Sequence, residues 1–240
     1  MHRYLLALLL SSVLAACAEA APPARVLVFS RTEGFRHDSI DTAVATLQRL
    51  AAAEGLAADH SEDARVFNAA NLARYRVMVF ANTTGDVLDA AQQRALQAFV
   101  RAGGGFVGIH AAADTEYDWP WYGQLVGAWF LGHPPGLQDT HVQPEREGHA
   151  VGPSWAVRDE IYDYRHNPRG QVQVIATVDE GRYQGGRMGA DHPIAWCRAF
   201  EGGRSWYTGL GHTAAIYADP RFLDQLRGGL RYAAGLSGDC

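Results

Sequence analysis

The stretch "GGGFVGIHAAADTEYDWPWYG", Gly103–Gly123, decides how the chain is read. Its glycines end one element. "GFVGIHA" is then a short apolar run bounded by turn residues, the pattern of a buried strand. At His110 the run gives way to a loop crowded with Asp114, Glu116, Tyr117, Asp118, Trp119 and Trp121. The same pattern recurs upstream. "RVLVFS", Arg25–Ser30, predicts a first strand. A helix is expected from near Asp38, with Ile40, Val44, Leu47 and Ala51 at helical spacing and Gly55 as its stop. A weaker strand is expected within "LAADHSEDARVF", and a clear one from Arg76 to Ala81. Asp89 and Gln92 have the spacing of a capping box for a helix lined by Leu96, Phe99 and Val100. Strand, helix, strand, helix, strand predicts an α/β fold, a three-layer doubly wound, mostly parallel sheet with helices on both faces.

The second half is less regular. "THVQPE" and "AVRDEIYDY" alternate in part and read as strands, with "DEIYDY" (Asp159–Tyr164) as an edge strand carrying alternating acids. Gln171–Asp179 and Arg204–Gly211 are clearer strands, and a hairpin is expected between His192 and His212. Asp219 with Pro220 behind it starts a final helix whose inner stripe is Leu223, Leu226 and Leu230. No repeat or internal linker interrupts this, so residues 25–240 are expected to form one domain.

"MHRYLLALLLSSVLAAC" has the short basic start, apolar run and small residues of a secretory signal. Leu14-Ala15-Ala16-Cys17 resembles the lipobox of bacterial lipoproteins, which makes residues 1–17 a leader ending at a lipidated Cys17. Residues 18–24 then read as a tether. Ala18, where an aspartate would retain such proteins at the inner membrane, implies an outer-membrane anchor facing the periplasm or the cell surface. The chain has 21 basic residues, all arginine, and 26 acidic ones. That acidic balance, without a basic stretch, argues against a nucleic-acid partner. Cys197 reads as a core residue, and its pairing with Cys240 is left open.

In an open parallel sheet, ligands bind beyond the carboxyl ends of the strands. There the first strand delivers Glu33, His37 and Asp38, the third delivers "NTTGD", and the fourth delivers His110 and the acidic loop. His110 in that position can be a base, an acid or a metal ligand, or a structural histidine bonded to a loop carbonyl. Asp114 and Glu116 are close enough in sequence to orient it or share a cation. The rings of Trp119 and Trp121 suit the mixed faces of a sugar, but equally suit packing on the core. Glu160 or Tyr162 could face the same cleft. Histidines 133, 141, 149, 166, 192 and 212 follow at irregular gaps, without a zinc-binding spacing. No cofactor is certain, and a divalent metal such as zinc is an open candidate. His212 follows a Gly-x-Gly turn whose amides could hold an oxyanion. No serine elbow, dinucleotide fingerprint or P-loop is present.

"FRHDSI", "GGGFVGIHAAADTEYDWPWYGQLVGAWF", "DEIYDY" and "HPIAWCRAFEGGRSWYTGLGH" resemble the trehalose-utilization (ThuA-like) family, in order and over about residues 25–236. The resemblance implies a flavodoxin-like fold related to class I glutamine amidotransferases. Those enzymes carry cysteine where this chain has His110, so glutaminase activity is not implied. Family positions carried over are His37, Asp38, His110, Asp114, Glu116, Tyr117, Glu160, His192 and His212. The resemblance implies sugar catabolism, beside a sugar oxidoreductase as pathway partner. The expectation is an enzyme acting on a small carbohydrate, a glycoside or keto-sugar derivative. His110, His37, Asp114 and Glu116 would be its catalytic groups. Asp38, Tyr117, Trp119, Trp121, Glu160, His192 and His212 would hold the substrate. The alternatives are a noncatalytic carbohydrate-binding lipoprotein serving a partner enzyme, and an interaction protein with a degenerate site.

Overall fold

A computed structural model of the chain describes residues 23–145 and 153–239. The expected leader with its lipidation site Cys17, tether residues 18–22, His149 and Cys240 lie outside the described residues. The strands are β1 (Arg25–Phe29), β2 (Ala57–Ser61), β3 (Val77–Ala81), β4 (Gly105–Ile109), β5 (Phe130–Gly132), β6 (Gln138–Pro144), β7 (Trp155–Asp159), β8 (Asp163–Tyr164), β9 (Gln173–Val178), β10 (Pro193–Phe200) and β11 (Gly203–Thr208). The α-helices are α1 (Ile40–Ala53), α2 (Ala69–Leu72), α3 (Ala90–Arg101), α4 (Pro120–Val126) and α5 (Pro220–Ala233).

Nine strands form one sheet in the order β2-β1-β3-β4-β11-β10-β9-β6-β7, and β5 pairs with β8 separately. The first five pair in parallel. From β11 onward every neighbouring pair is antiparallel. The sheet is therefore mixed, and the "mostly parallel" expectation describes only one half of it. The reason is local: β10 and β11 form a tight hairpin, and no α-helix intervenes between β9 and β10 to return the chain in the same direction.

The parallel half is buried on both faces, and its side chains alternate accordingly. Val26 and Val28 of β1, Val77 and Val79 of β3, and Val107 and Ile109 of β4 pack with Ile40, Leu47 and Leu50 of α1 and Phe222, Leu226 and Leu230 of α5. Leu27, Phe29, Met78, Phe80 and Phe106 point the other way, onto Leu96 and Val100 of α3 and Tyr122, Leu125 and Val126 of α4. In α5, Phe222 takes the inner place expected of Leu223, which is only partly buried. Gly105 is where α5 comes closest: a Cβ there would lie 2.2 Å from the Ala233 carbonyl oxygen. The expected capping box at Asp89 and Gln92 is present, and Asp219 accepts from the Arg221 amide at the start of α5.

"DEIYDY" is not one edge strand. Asp159 ends β7, Asp163 begins β8, and residues 160–162 connect them. Because β7 pairs in the large sheet and β8 in the small one, the chain turns out of the sheet plane between them. That turn frees Glu160 from the ladder.

Candidate active site

The loops after β1, β3 and β4 meet as the parallel reading requires. Glu33 N–H donates to the Thr84 carbonyl at 2.8 Å, and Gly85 N–H to the Asp114 carbonyl at 2.9 Å. His110 is the first residue after β4. It is fully buried and has φ of 48°, the left-handed region that a β-carbon disfavours. Two groups of the neighbouring β11 segment hold it there. The Tyr207 hydroxyl donates to its carbonyl at 2.8 Å, and its Nδ1 lies 2.7 Å from the Gly209 carbonyl oxygen. A carbonyl only accepts, so Nδ1 carries a hydrogen and Nε2 is the ring nitrogen left for the site.

Nε2 looks into a cluster of imidazoles. The His37 and His110 rings lie 4.8 Å apart, His37 and His212 5.1 Å, and His110 and His212 5.3 Å. Each pair is close to perpendicular, at 88°, 87° and 76°. Glu160 completes the group. Its Oε2 is 3.4 Å from His110 Nε2 and 3.2 Å from His212 Nδ1, while Oε1 is 3.3 Å from His133 Nδ1. The side-chain ligand atoms of His37, His110, Glu160 and His212 all lie within 4.8 Å of one another. Tyr162 closes one wall, its ring 4.1 Å from that of His110.

The electrostatics follow from burial and these neighbours. Burial, reinforced by the positive potential of His110 and His212, lowers His37 to about 3, so it is neutral at neutral pH. Burial acts to raise Glu160, but the His110 and His212 imidazoles outweigh it and hold the carboxyl well below its usual range. The neighbouring Glu160 carboxylate raises His212 against its partial burial. Asp38 is exposed, and its charge also acts on His212.

Asp159 sets the position of His212. Its Oδ2 accepts from the amides of Gly211 at 2.7 Å and His212 at 3.3 Å, and Oδ1 from Thr213 at 3.1 Å. The Gly-x-Gly turn expected to offer amides to an oxyanion has them taken: Gly211 by Asp159, Leu210 by Thr208 Oγ1 at 3.3 Å and Gly209 by the Ile194 carbonyl at 2.7 Å. Gly211 has φ of 127°, and a Cβ there would meet Ile109 Cγ2 and Tyr217 Oη at 2.9 Å. Its carbonyl accepts from Ser39 Oγ at 3.0 Å and from Asn82 Nδ2 at 3.1 Å, tying the β1, β3 and β11 loops together.

Other expected site residues lie elsewhere. Glu116 is buried, but its oxygens accept from the Leu88 amide and Gln93 Nε2, both at 2.7 Å, so it anchors the loop to the start of α3. Asp114 is half-buried and accepts from the Tyr117 hydroxyl at 2.6 Å. Burial raises its carboxyl above the usual range. Arg165 lies over the Tyr117 ring at 4.1 Å. Trp119 stacks on Trp121 at 4.9 Å. Trp121 packs on Phe200 and donates to Glu201 Oε2 at 2.8 Å, in the turn before β11. That is the opposite end of β11 from His212, so these tryptophans are not a wall of the histidine cluster. His192 belongs to a second group: Nδ1 is 2.7 Å from Glu180 Oε1 and Nε2 is 2.9 Å from the Tyr162 carbonyl oxygen. Sequence reasoning did not single out Asp159, Ser39 or Asn82, and gave His133 no role. Nothing in their spacing distinguishes them; only the crossing of β7 and the β11 loop does.

The sequence matches the family model ThuA, trehalose utilisation, over residues 25–233. No curated protein is a match. A ThuA-like protein from Bacteroides uniformis superposes with a TM-score of 0.74 at 22% identity, over 91% of this chain and 94% of that one. One from Parabacteroides merdae gives 0.71 at 18%, over 91% and 92%. A β-galactosidase from Bacillus circulans sp. alkalophilus shares the fold over 88% of this chain but only 31% of its own length, with a TM-score of 0.57 and 14% identity. The chain belongs to the ThuA family, a glutamine amidotransferase-like family set in trehalose utilisation.

Proposed function

We propose that the protein is a carbohydrate-processing enzyme acting on a glycoside or keto-sugar derivative, with its chemistry at His37, His110, Glu160 and His212. The observation that carries this reading is the convergence of three imidazoles and one carboxylate beyond the carboxyl ends of β1, β4 and β11, within a family of trehalose utilisation. His110 presents its Nε2 and Glu160 an ionised carboxylate to one point. A sugar hydroxyl or carbonyl placed there meets groups able to take a proton or to stabilise developing charge. Phe35, 65% exposed and edge-on to His37 at 4.8 Å, is an exposed aromatic beside the cluster. It takes the stacking role expected of Trp119 and Trp121. Glutaminase chemistry is not part of this proposal, because the nucleophile position holds His110.

The test is turnover of trehalose, other disaccharides and their keto derivatives by the purified protein, followed by NMR. Conversion that Glu160→Gln and His110→Ala reduce by about 10²-fold or more is expected. A wild-type protein that leaves every such sugar unchanged, with and without divalent cations, would remove the enzymatic reading. Sugar binding that survives both substitutions, without turnover, would favour a carbohydrate-binding lipoprotein. The helix placement on both faces of β2-β1-β3-β4-β11 also supports a doubly wound, flavodoxin-like half. Export as a lipoprotein is proposed from Leu14–Cys17; Cys17→Ser should abolish palmitate labelling of the full chain, and persistent labelling would refute it.

A further inference from the structure

We propose that His37, His110, Glu160 and His212 bind a divalent transition-metal cation of the zinc class. The spacing comes first. Bonds of about 2.0–2.1 Å to zinc in a tetrahedron place ligand atoms about 3.3–3.4 Å apart. The Glu160 Oε2 contacts to His110 Nε2 and His212 Nδ1, at 3.4 and 3.2 Å, have that spacing with no cation between them. The second observation is independent of spacing. His37 Nδ1, His110 Nε2 and His212 Nδ1 are buried ring nitrogens without a hydrogen-bond partner. Unpaired buried polar atoms are costly and rare in folded proteins. Here three gather in one group beside one carboxylate, and a single cation satisfies them together. The third is the support around the ligands. His110 Nδ1 donates to the Gly209 carbonyl, the arrangement that fixes the tautomer and orientation of a metal-ligating imidazole. His133 sits on Glu160 Oε1 and orients the carboxylate from its outer side. Nitrogen-rich ligation with one carboxylate favours zinc and its neighbours over calcium or magnesium.

The group formed by Asp163, Glu180 and His192 is the internal contrast. Its members are satisfied without a cation. Asp163 accepts from the Arg187 amide, Glu180 from the amides of Met188 and Gly189, and both His192 nitrogens have partners. The cation therefore belongs to the first cluster, not the second.

The experiment is zinc titration of the full purified chain after chelation, read by calorimetry and by elemental analysis. Cobalt(II) absorption reports the coordination. One equivalent is expected. His212→Ala, at the partly exposed position, and Glu160→Gln should each weaken zinc by at least about 100-fold, while His192→Ala leaves the affinity within a few-fold. Circular dichroism establishes that each variant is folded. No uptake by the wild type, or binding lost in His192→Ala and kept in folded His212→Ala, would overturn the proposal. The metal inference deepens the sugar-enzyme reading without standing on it. Zinc binding is measured with no sugar present, so a protein that binds zinc but turns over no sugar leaves this inference intact and refutes the other.

Discussion

At the scale of single residues, His110 is the position where local strain and chemistry meet. A histidine at φ of 48° gives up about 1–2 kcal/mol that a glycine would not. Strain of this kind persists where surrounding contacts over-determine the backbone. Here the Tyr207 hydroxyl and the Gly209 carbonyl do so, by fixing the carbonyl and Nδ1 of the same residue. His110→Gly should therefore be more stable than His110→Ala. The difference is about 0.5–1 kcal/mol, the left-handed cost less the extra chain entropy of glycine, about 0.5–1 kcal/mol. Both variants should lose turnover alike. Urea unfolding of the two variants decides it; an alanine variant as stable as the glycine one would show that the elbow relaxes without cost.

At the scale of elements, the loop from His110 to Trp119 divides two kinds of work that the sequence crowds together. Its first residue faces the cluster, Glu116 fastens the loop to α3, and α4 then carries Trp121 back along the sheet toward the start of β11. Both Glu116 oxygens take a donor. A glutamine turns an amide nitrogen toward one of them and leaves a buried donor unpaired. Glu116→Gln should cost about 1–3 kcal/mol of stability, with zinc stoichiometry and turnover per folded molecule unchanged. Thermal melts paired with the zinc titration measure this, and lost zinc binding in a folded Glu116→Gln protein would place Glu116 in the site after all. The same loop shows what the sequence could and could not reveal. β1, β3 and β4 were legible because each is a short branched run buried on both faces, and the rule that parallel strands place ligands at their carboxyl ends then brought His37 and His110 together. That Trp119 and Trp121 lie away from the histidines was not legible, because closeness in sequence does not say which way a helix turns after its first proline. Glu160 was legible as a polar residue of a motif. Its reach to His110 was not, because it depends on the break between β7 and β8 and on an antiparallel half with weaker patterning.

At the scale of the whole molecule, the cluster closes across the junction between the two halves of the sheet. His37 and His110 come from the parallel half and His212 from the strand at its border. Glu160 follows β7, the outermost antiparallel strand. What brings that strand's end back to the centre is Asp159, whose carboxylate accepts three consecutive amides of the loop after β11. Asp159 is fully buried, so each contact is made away from competing water. An asparagine there would be a poor substitute: one oxygen can still accept, but its amide nitrogen would face donors. Asp159→Asn should lower stability by about 1–3 kcal/mol. For a chain of this size that is a fall in melting temperature of roughly 2–4 °C per kcal/mol. It should also expose the Gly211, His212 and Thr213 amides to faster hydrogen exchange. If Asp159 couples the two halves, slow exchange in β6 and β7 must weaken together with that in β11, because the opening that frees the loop also releases the edge strand. Faster exchange confined to residues 211–213, with an unchanged melting temperature, would mean that Asp159 only trims a loop and that the site does not depend on joining the halves.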